Sequence, residues 1–461
     1  MSAIEHQGSR PTSVSRTGLM AVFGDARRSR LLRNILTLMS GTAAAQAVTM
    51  AFMPVITRLF GPQAYGVLGT FLSLQMILIP VAALTYPMAI VLPRHDREAQ
   101  GLARLSLGVA ALVAVLAAVL LALFGDAAAE ALNIAVVAPY LLLLPLVMFA
   151  GAALEVAQQW LFRLQRFKVT AKVAVAHAAL FNGLRVIAGL IHPSAAVLVT
   201  TTAGGPAMQT LMLALGIRRG AHARPTAEGE VVQDGTLALA RRFADFPLYR
   251  APTMLINTCS QHMPTLVLAA FFGPVAAGFF ALCKQVLSVP TNLIGKSVTD
   301  VYYPRMTQAI HAGEPIARML AKATASLALL GLVPFGLVFL AGPTLFAWVF
   351  GSEWQVAGEF ARWLALAEYS IFLTRPSTVV VPALGLQRGF LFFELASTAL
   401  RIGALMVGAM LIGDATATVQ AFAAASVVIY LSLMGLVLML ALRWHRRRGT
   451  AGTVTTDGTS L

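Results

Sequence analysis

Long apolar segments alternate with short polar segments along most of this chain. A membrane-spanning helix needs about 20 consecutive, mostly apolar residues, and the segment from Leu105 to Phe124 reaches this length without a single charged residue. Similar segments recur often enough to predict twelve membrane-spanning helices. They lie near residues 34–56, 67–92, 105–124, 135–155, 173–191, 195–217, 251–272, 279–300, 319–341, 359–382, 390–412 and 417–442.

The polar segments divide the predicted spans into two halves of six. Residues 1–33 are polar and basic and predict an N-terminal tail, and residues 443–461 predict a similar C-terminal tail. The longest internal polar segment, 218–250, predicts a cytoplasmic linker, with a short amphipathic helix near its end. We therefore expect a first six-helix bundle over 34–217 and a second one over 251–442.

Three short motifs occur in the same order in both halves. They are Gly61-Pro62 with Gly66 and Gly273-Pro274 with Gly278, Pro93-Arg94 and Pro304-Arg305, and Leu164-Gln165-Arg166 and Leu386-Gln387-Arg388. Because each half has an even number of spans, both halves enter the membrane from the same side, and the repeats are expected to be parallel rather than inverted. The pattern predicts an all-α, polytopic transporter with a central cleft between two bundles.

The composition excludes a soluble protein, since 58% of the residues are hydrophobic, 11% are charged and the mean hydropathy is +0.77. Lysine and arginine are concentrated in the tails, the linker and alternate loops, and the connections at 125–134, 192–194, 273–278, 342–358 and 413–416 contain neither. Basic loops stay on the cytoplasmic side, so both termini are expected there. The net charge of +15 matches loops that face anionic membrane lipids, and no nucleic-acid partner is needed to explain it.

Enzyme signatures are absent from the sequence. There is no Gly-x-x-x-x-Gly-Lys-Ser/Thr phosphate loop, and the eight histidines do not have the spacing of metal ligands. Both cysteines, Cys259 and Cys283, fall within predicted spans. We therefore expect a protein that is not an enzyme and that has no catalytic residues, no metal and no cofactor.

Charged residues inside the predicted spans are the candidate functional residues. A charge is costly within a membrane, and it marks a transport pathway or a buried pair. The candidate substrate-binding residues are the cations Arg185, Lys284, Lys296, Arg375 and Arg401. The candidate ion-coupling residues are the carboxylates Glu368, Glu394 and Asp300.

Spacing along the helices gives expectations about how these charges pair. Glu368 and Arg375 are seven residues apart, as are Glu394 and Arg401. Each pair then shares a helix face with about 10 Å of axial rise between its members, which we expect to be too far for direct contact within one helix. Such mixed-charge faces suit a water-filled cavity. Pro376 is expected to interrupt the helix next to Arg375.

The remaining charges divide into a possible pair and a polar face. Lys296 and Asp300 are four residues apart, so they share a helix face and can neutralise each other. Asn182 and Arg185 give the fifth predicted span a polar face. Arginine predominates at mid-span, and its planar guanidinium group binds phosphate in a fork, so this excess favours an anionic cargo. A purely structural role, through snorkelling or fixed ion pairs, is the alternative.

Several turn and loop segments resemble those of the Wzx-like polysaccharide and O-antigen flippases, which form the polysaccharide transport family. These segments are 57–66, 89–94, 160–167, 272–280, 302–305 and 345–358. The resemblance covers roughly 34–442 and implies membership of the multidrug/oligosaccharidyl-lipid/polysaccharide (MOP) exporter superfamily, with a MATE-like fold. Lys284 stands where that family often has a basic residue, and Lys296 stands where an uncharged polar residue is expected.

The resemblance also implies a function and partners. It implies a multi-pass protein of the bacterial inner membrane that moves an undecaprenyl-diphosphate-linked oligosaccharide to the periplasmic leaflet by alternating access. The product would serve lipopolysaccharide or exopolysaccharide export. The implied partners are the lipid-linked oligosaccharide, membrane lipids, and the polysaccharide polymerase and export machinery.

Three other functions remain open at this stage. A cation-coupled multidrug exporter of the same superfamily would favour carboxylates in its cleft. A flippase for the peptidoglycan precursor would have extra spans, and a membrane enzyme of glycan assembly would need a large external loop. The excess of mid-span cations favours the oligosaccharide flippase, because a basic cleft attracts an anionic headgroup.

Overall fold

The computed structural model describes residues 26–218, 235–312, 314, 316–383 and 387–453, and in these parts it contains helices and turns but no strand. The first half consists of α1 (Ala26–Ala82), α2 (Asp96–Ala131), α3 (Leu143–Arg163), α4 (Phe167–Ile191) and α5 (Ala195–Arg218). A short helix, α6 (Thr236–Arg242), precedes the second half. The second half consists of α7 (Ala251–His311), α8 (Ile316–Phe350), α9 (Gln355–Leu373), α10 (Arg375–Ala383), α11 (Gln387–Val407) and α12 (Ala415–Thr453).

The helices have the lengths and apolarity of membrane spans. Within the described residues, eight helical segments are long and apolar enough to cross a membrane. Two of these segments, in α1 and α7, are kinked, and each holds two of the predicted spans. Helix α5 and the pair formed by α9 and α10 occupy the two remaining predicted positions. The predicted arrangement of twelve spans is therefore consistent with the structure, and the protein is a multi-pass membrane protein.

The repeated Gly-Pro motif forms the turn between the first two spans of each half. Gly61 has φ and ψ of 69° and 173°, and the equivalent Gly273 has 81° and −179°. A positive φ is accessible to glycine at little cost because glycine has no Cβ. Prolines 62 and 274 follow and lack the amide hydrogen that would continue the preceding helix. The two halves thus share the same non-helical turn at equivalent positions.

Equivalent residues of the two repeats also contact each other across the molecule. A Cβ atom on Gly66 would overlap the backbone carbonyl of Pro274, and one on Gly278 would lie 2.5 Å from the carbonyl oxygen of Pro62. This reciprocal contact is what two-fold related surfaces produce. It fits a pair of parallel repeats related by an axis along the membrane normal.

The second predicted span is shorter than expected. It was predicted over 67–92, but α1 ends at Ala82, because Leu84 and Thr85 adopt left-handed backbone conformations with φ of 48° and 57°. A 3-10 turn, Tyr86–Val91, follows. Apolar composition continues through this turn, so hydropathy alone could not locate the end of the helix.

The last part of the predicted linker packs against the first half. Helix α6 coincides with the short helix expected near the end of the linker, and its Leu239 is buried. The hydroxyl of Tyr86 donates to the carbonyl of Ala240 at 3.3 Å, and that of Thr85 donates to the carbonyl of Phe246 at 3.1 Å. Residues 219–234 of the predicted linker lie outside the described part of the chain.

The two halves are joined by contacts next to the Gly61 turn, at the opposite end of the second α1 segment from Ala82 and α6. The Arg58 guanidinium donates to the carbonyl of Trp348 at 2.6 Å, and the Trp354 indole N–H donates to the carbonyl of Thr57 at 3.3 Å. The Tyr65 ring packs edge-on against Trp354, with ring centroids 5.5 Å apart. We call this group of residues, Thr57, Arg58, Tyr65, Trp348 and Trp354, the outer seal.

Candidate functional site

A cavity of about 480 Å³ lies between the second segment of α1 and the helices of the second half. Helix α1 contributes Tyr65, Gly69 and Ser73, and most of the remaining lining comes from α7 and from α9 to α12. The cavity therefore lies at the boundary between the halves, as the repeat pattern predicts. It is displaced towards the second half, which the sequence did not indicate.

Five charged side chains line this cavity, and all five were selected from the sequence. They are Lys284, Glu368, Arg375, Glu394 and Arg401. Among the described lining residues there are thus three basic side chains and two carboxylates. With all five groups ionised, the cavity has a surplus of one positive charge, and interactions between charges strengthen in a low-dielectric environment.

Lys284 and Glu368 form an ion pair between α7 and α9. The Lys284 ammonium donates to Oε1 of Glu368. The side chain of Glu368 is only 5% exposed, whereas that of Lys284 is 37% exposed towards the cavity. Glu368 therefore pairs with Lys284 on another helix. It does not pair with Arg375, which follows it by seven residues in the sequence.

Arg401 is held by a network of neutral groups and by a more distant carboxylate. Its guanidinium donates to the Tyr430 hydroxyl at 2.7 Å, to the Ser397 carbonyl at 3.3 Å and to the Ser260 hydroxyl at 3.4 Å. It also reaches Oε1 of Glu394 at 3.5 Å. The expectation that residues seven apart cannot meet within one helix is wrong here, because both side chains are long and extend towards each other along the helix face.

Arg375 lies at a break in the helical path. Helix α9 ends at Leu373 and α10 begins at Arg375, with Thr374 between them and Pro376 directly after. This break agrees with the expectation from Pro376. The Nε atom of Arg375 is buried and has no hydrogen-bond partner, and in the described chain no carboxylate lies within ion-pair distance of this guanidinium. Arg375 is thus the cavity cation that most lacks a counter-ion.

The structure places Arg185 apart from this group. It lies on α4 in the first half and is not part of the cavity lining. Its guanidinium donates to Thr202 at 3.0 Å and to Asn182 at 3.3 Å, and it lies 4.7 Å from the centre of the Phe181 ring. The predicted polar face of Asn182 and Arg185 therefore exists, but it is occupied by contacts within the first half.

Lys296 and Asp300 lie on α7, and their side chains are outside the described part of the structure. Their mutual neutralisation and their roles remain predictions. Among the described residues, no group of three or more His, Cys, Asp or Glu side chains has an arrangement that could hold a metal ion.

Comparison with known proteins identifies the family. A family model described as "polysaccharide biosynthesis protein" matches residues 55–359, which is more than half of the chain. The chain belongs to the polysaccharide biosynthesis protein family. A curated relative, the teichuronic acid biosynthesis protein TuaB of Bacillus subtilis, is 25% identical over 190 residues, and this match covers 41% of the chain and 39% of the length of TuaB.

Solved structures show that this member of the polysaccharide biosynthesis family has the fold of the MOP superfamily. An inward-facing multidrug resistance transporter of the MATE family matches with a TM-score of 0.63 and 14% identity, over 89% of this chain and 96% of that transporter. A MOP superfamily transporter from Pyrococcus furiosus, described as having a binding pocket of reversed polarity, matches with a TM-score of 0.56 and 16% identity, over 91% and 96% of the two chains. The protein therefore has a MATE-like fold.

Uncharged polar residues of the cavity were missed by the sequence reasoning. Helix α7 contributes Asn257, Gln261, Gln285, Ser288 and Asn292 to the lining. Polar residues of this kind are common in helices, and only their recurrence at helical spacing, as at 257 and 261, could have shown that they share a face. Amides and hydroxyls of this kind can both donate and accept hydrogen bonds.

Proposed function

We propose that the protein is a flippase for lipid-linked oligosaccharide. It moves an undecaprenyl-diphosphate glycan from the cytoplasmic to the periplasmic leaflet of the bacterial inner membrane, for export as a surface polysaccharide. The observation that carries this proposal is the surplus of cations over carboxylates among the described residues of the cavity, where no described carboxylate pairs with Arg375. The family assignment and the relative in teichuronic acid biosynthesis support it.

The cavity offers different groups to the two polar parts of this cargo. Arg375, Lys284 and Arg401 attract the diphosphate, since guanidinium and ammonium groups form charge-assisted hydrogen bonds with phosphate oxygens. The amide-rich face of α7 contacts the first sugars. The prenyl chain stays in the bilayer, because its transfer into a polar cavity would expose apolar surface to water. Arg185 is outside the lining, so in this proposal it supports the first half rather than holding the diphosphate.

Transport proceeds by rocking of the two halves. With the end of α1 at Ala82 and α6 on the cytoplasmic side, the outer seal closes the periplasmic end of the bundle, and the cargo enters from the cytoplasmic side. Opening of the outer seal then presents the headgroup to the periplasm. Since the sequence has no phosphate-binding loop for ATP, net movement relies on an ion gradient or on removal of the product. Glu368, Glu394 and Asp300 are the candidate residues for carrying a coupling ion.

The second candidate function is a cation-coupled multidrug exporter, which the MATE-like fold also accommodates. Cationic drugs require carboxylates that are free to pair with them. Both described carboxylates of this cavity already contact a cation, Glu368 with Lys284 and Glu394 with Arg401. The charge arrangement therefore favours an anionic cargo. An enzyme of glycan assembly is the third candidate, and a transferase assay on the purified protein separates it from a transporter.

Depletion of the protein in its own cells tests the proposal. Loss of a flippase leaves its cargo on the cytoplasmic leaflet, so the membrane lipids should accumulate one undecaprenyl-diphosphate glycan, identified by mass spectrometry. Complementation with the wild-type chain or with Arg318→Ala, an exposed arginine outside the cavity, should remove the accumulated lipid. Complementation with Arg375→Ala should not. Unchanged lipid-linked glycans after depletion would refute the flippase assignment.

A further inference from the structure

Lys284 differs from the other cavity cations in the way it is held. Arg401 is fixed by the hydroxyls of Tyr430 and Ser260 and by a backbone carbonyl. Lys284 has Glu368 as its ion-pair partner, and more than a third of its side chain is exposed. A lysine ammonium group sits on a flexible four-carbon stem. Lys284 is therefore the paired cation that can move to a new partner while the helices that line the cavity keep their packing.

Glu368, in contrast to Lys284, is buried and depends on this one ion pair. Its side chain is 5% exposed, and among the described residues the ammonium of Lys284 is the donor that satisfies its carboxylate. If Lys284 leaves, a buried negative charge remains without a partner. Such a charge is costly and is normally removed by taking up a proton. A bound phosphate nearby adds like-charge repulsion and favours the same outcome.

Other titratable and charged groups face this pair from the surrounding helices. They are Tyr65 on α1, His262 on α7, Arg375 on α10, Glu394 and Arg401 on α11, and Tyr430 on α12. Glu394 already contacts Arg401, which is anchored independently of it, and Glu394 is 33% exposed. Movement of Lys284 therefore leaves Glu368, rather than Glu394, as the buried carboxylate without a counter-ion.

We propose that Glu368 is an internal counter-ion that competes with the phosphates of the cargo for Lys284. Binding of a diphosphate transfers Lys284 from Glu368 to the cargo, and Glu368 takes up one proton from water. Lys284 keeps its own protons throughout. This inference rests on the proposed function and specifies which headgroup the cavity selects.

The net charge of the cavity lining before and after this exchange determines which phosphate headgroup it matches. With Glu368 ionised, the described lining carries three cations and two carboxylates, and the surplus of one positive charge matches the single negative charge of a phosphodiester. With Glu368 protonated, the surplus is two, which matches the two negative charges of a diphosphate diester. A monophosphate lipid can be neutralised by Arg375 alone and leaves the Lys284–Glu368 pair intact. The exchange thus separates the diphosphate cargo from bulk phospholipids.

Calorimetry with two matched ligands tests the exchange. The ligands are citronellyl-diphospho-N-acetylglucosamine and citronellyl-phospho-N-acetylglucosamine, whose diester charges stay constant around neutral pH. Titrations of the purified full chain in two buffers of different ionisation enthalpy give the protons taken up per bound ligand. The wild type should take up about one proton with the diphosphate and none with the monophosphate. The variant E368Q should take up none with either ligand. The control E359Q, which replaces an exposed carboxylate outside the cavity lining, should behave as the wild type does.

The outcomes separate the inference from the proposed function. Diphosphate binding without proton uptake, or with equal uptake for both ligands, overturns the exchange and leaves the flippase proposal standing. Proton uptake that persists in E368Q also overturns it. Absence of diphosphate binding to the wild type, or binding that R375Q does not weaken, contradicts the proposed function instead. The two-ligand comparison on the wild type needs no variant, so it decides the question even if E368Q fails to fold.

Discussion

Gly66 packs directly against the backbone carbonyl of Pro274 in the other half of the molecule. The equivalent residue of the second repeat, Gly278, packs against the carbonyl of Pro62. These reciprocal contacts explain why the same Gly-Pro motif occurs in both halves. The motif forms the turn between two spans and also lets the two turns approach each other without side chains between them.

Adding one methyl group at this contact should therefore destabilise the closed outer end. In Gly66→Ala, the Cβ atom overlaps backbone that cannot rotate away, and overpacking of this kind costs about 1–3 kcal/mol. We expect a lower melting temperature for the purified protein and reduced glycan export. The matched control is Gly204→Ala, since a Cβ atom there meets no atom within 4 Å. Equal melting temperatures for the two variants would contradict this account of the interface.

Trp354→Phe should loosen the outer seal while keeping an aromatic ring in place. The change removes the indole hydrogen bond to the Thr57 carbonyl. Such a bond contributes about 1 kcal/mol net. Its loss should therefore raise the fraction of molecules with an open outer seal about fivefold. The measurement is labelling of Ser73→Cys in the cavity by a membrane-impermeant maleimide added outside cells. Both native cysteines are first replaced by alanine, because Cys259 is only partly buried.

Trp348→Phe is the control for the outer seal. The residue is 76% exposed, and Arg58 donates to its backbone carbonyl, so the side chain takes no part in that hydrogen bond. Labelling should therefore remain at the level of the parent protein. If Trp354→Phe gave no more labelling than Trp348→Phe, the indole bond would have no part in closing the outer end.

Substitutions of two cavity arginines should differ in their effect on the stability of the protein. Arg375→Ala removes a cation that has no described counter-ion, so the free energy of unfolding should change by no more than about 0.5 kcal/mol, although export is lost. Arg401→Ala leaves the Tyr430 hydroxyl without its donor, whereas Ser260 keeps its hydrogen bond with Thr398; the change should cost about 1–3 kcal/mol. Thermal unfolding in detergent, measured beside export in cells, checks both. A large loss of stability in Arg375→Ala would show that this residue is structural.

Substitution of Arg185 should lower the stability of the protein but leave ligand binding nearly unchanged. Because it bonds to Thr202 and Asn182 within the first half, Arg185→Gln should lower the melting temperature. The affinity of the cavity for citronellyl-diphospho-N-acetylglucosamine should change by less than about twofold, since only direct contacts with charged groups contribute strongly. Calorimetry on the folded fraction measures this. A tenfold loss of affinity would return Arg185 to the substrate-binding group that its sequence position suggested.

Much of the fold could be predicted because membrane helices leave a strong pattern in the sequence. Apolar length located the spans. The repeated motif at Gly61 and Gly273 indicated two similar halves, and the even number of spans in each half predicted that they are parallel. The end of α1 at Ala82 could not be predicted, since it depends on the backbone conformation of Leu84 and Thr85 within a sequence that stays apolar.

The site was only partly predictable. The charges of the cavity stood out because they interrupt apolar spans. Their pairing did not, since Lys284 and Glu368 are 84 residues apart in sequence and meet only through the packing of α7 against α9. The contact of Glu394 with Arg401 depends on side-chain directions, which spacing along one helix does not define. For the same reason, nothing in the sequence separated Arg185 from the cavity cations.

The central claim is that this positively charged cavity carries a lipid-linked glycan across the membrane. Its most direct test is the leaflet distribution of radiolabelled undecaprenyl-diphosphate glycan in spheroplasts, measured by its accessibility to membrane-impermeant periodate. With the wild-type chain, a large fraction should be accessible from outside. That fraction should fall to background when the protein is depleted or replaced by Arg375→Ala. An accessible fraction that stays unchanged in both cases would contradict the account.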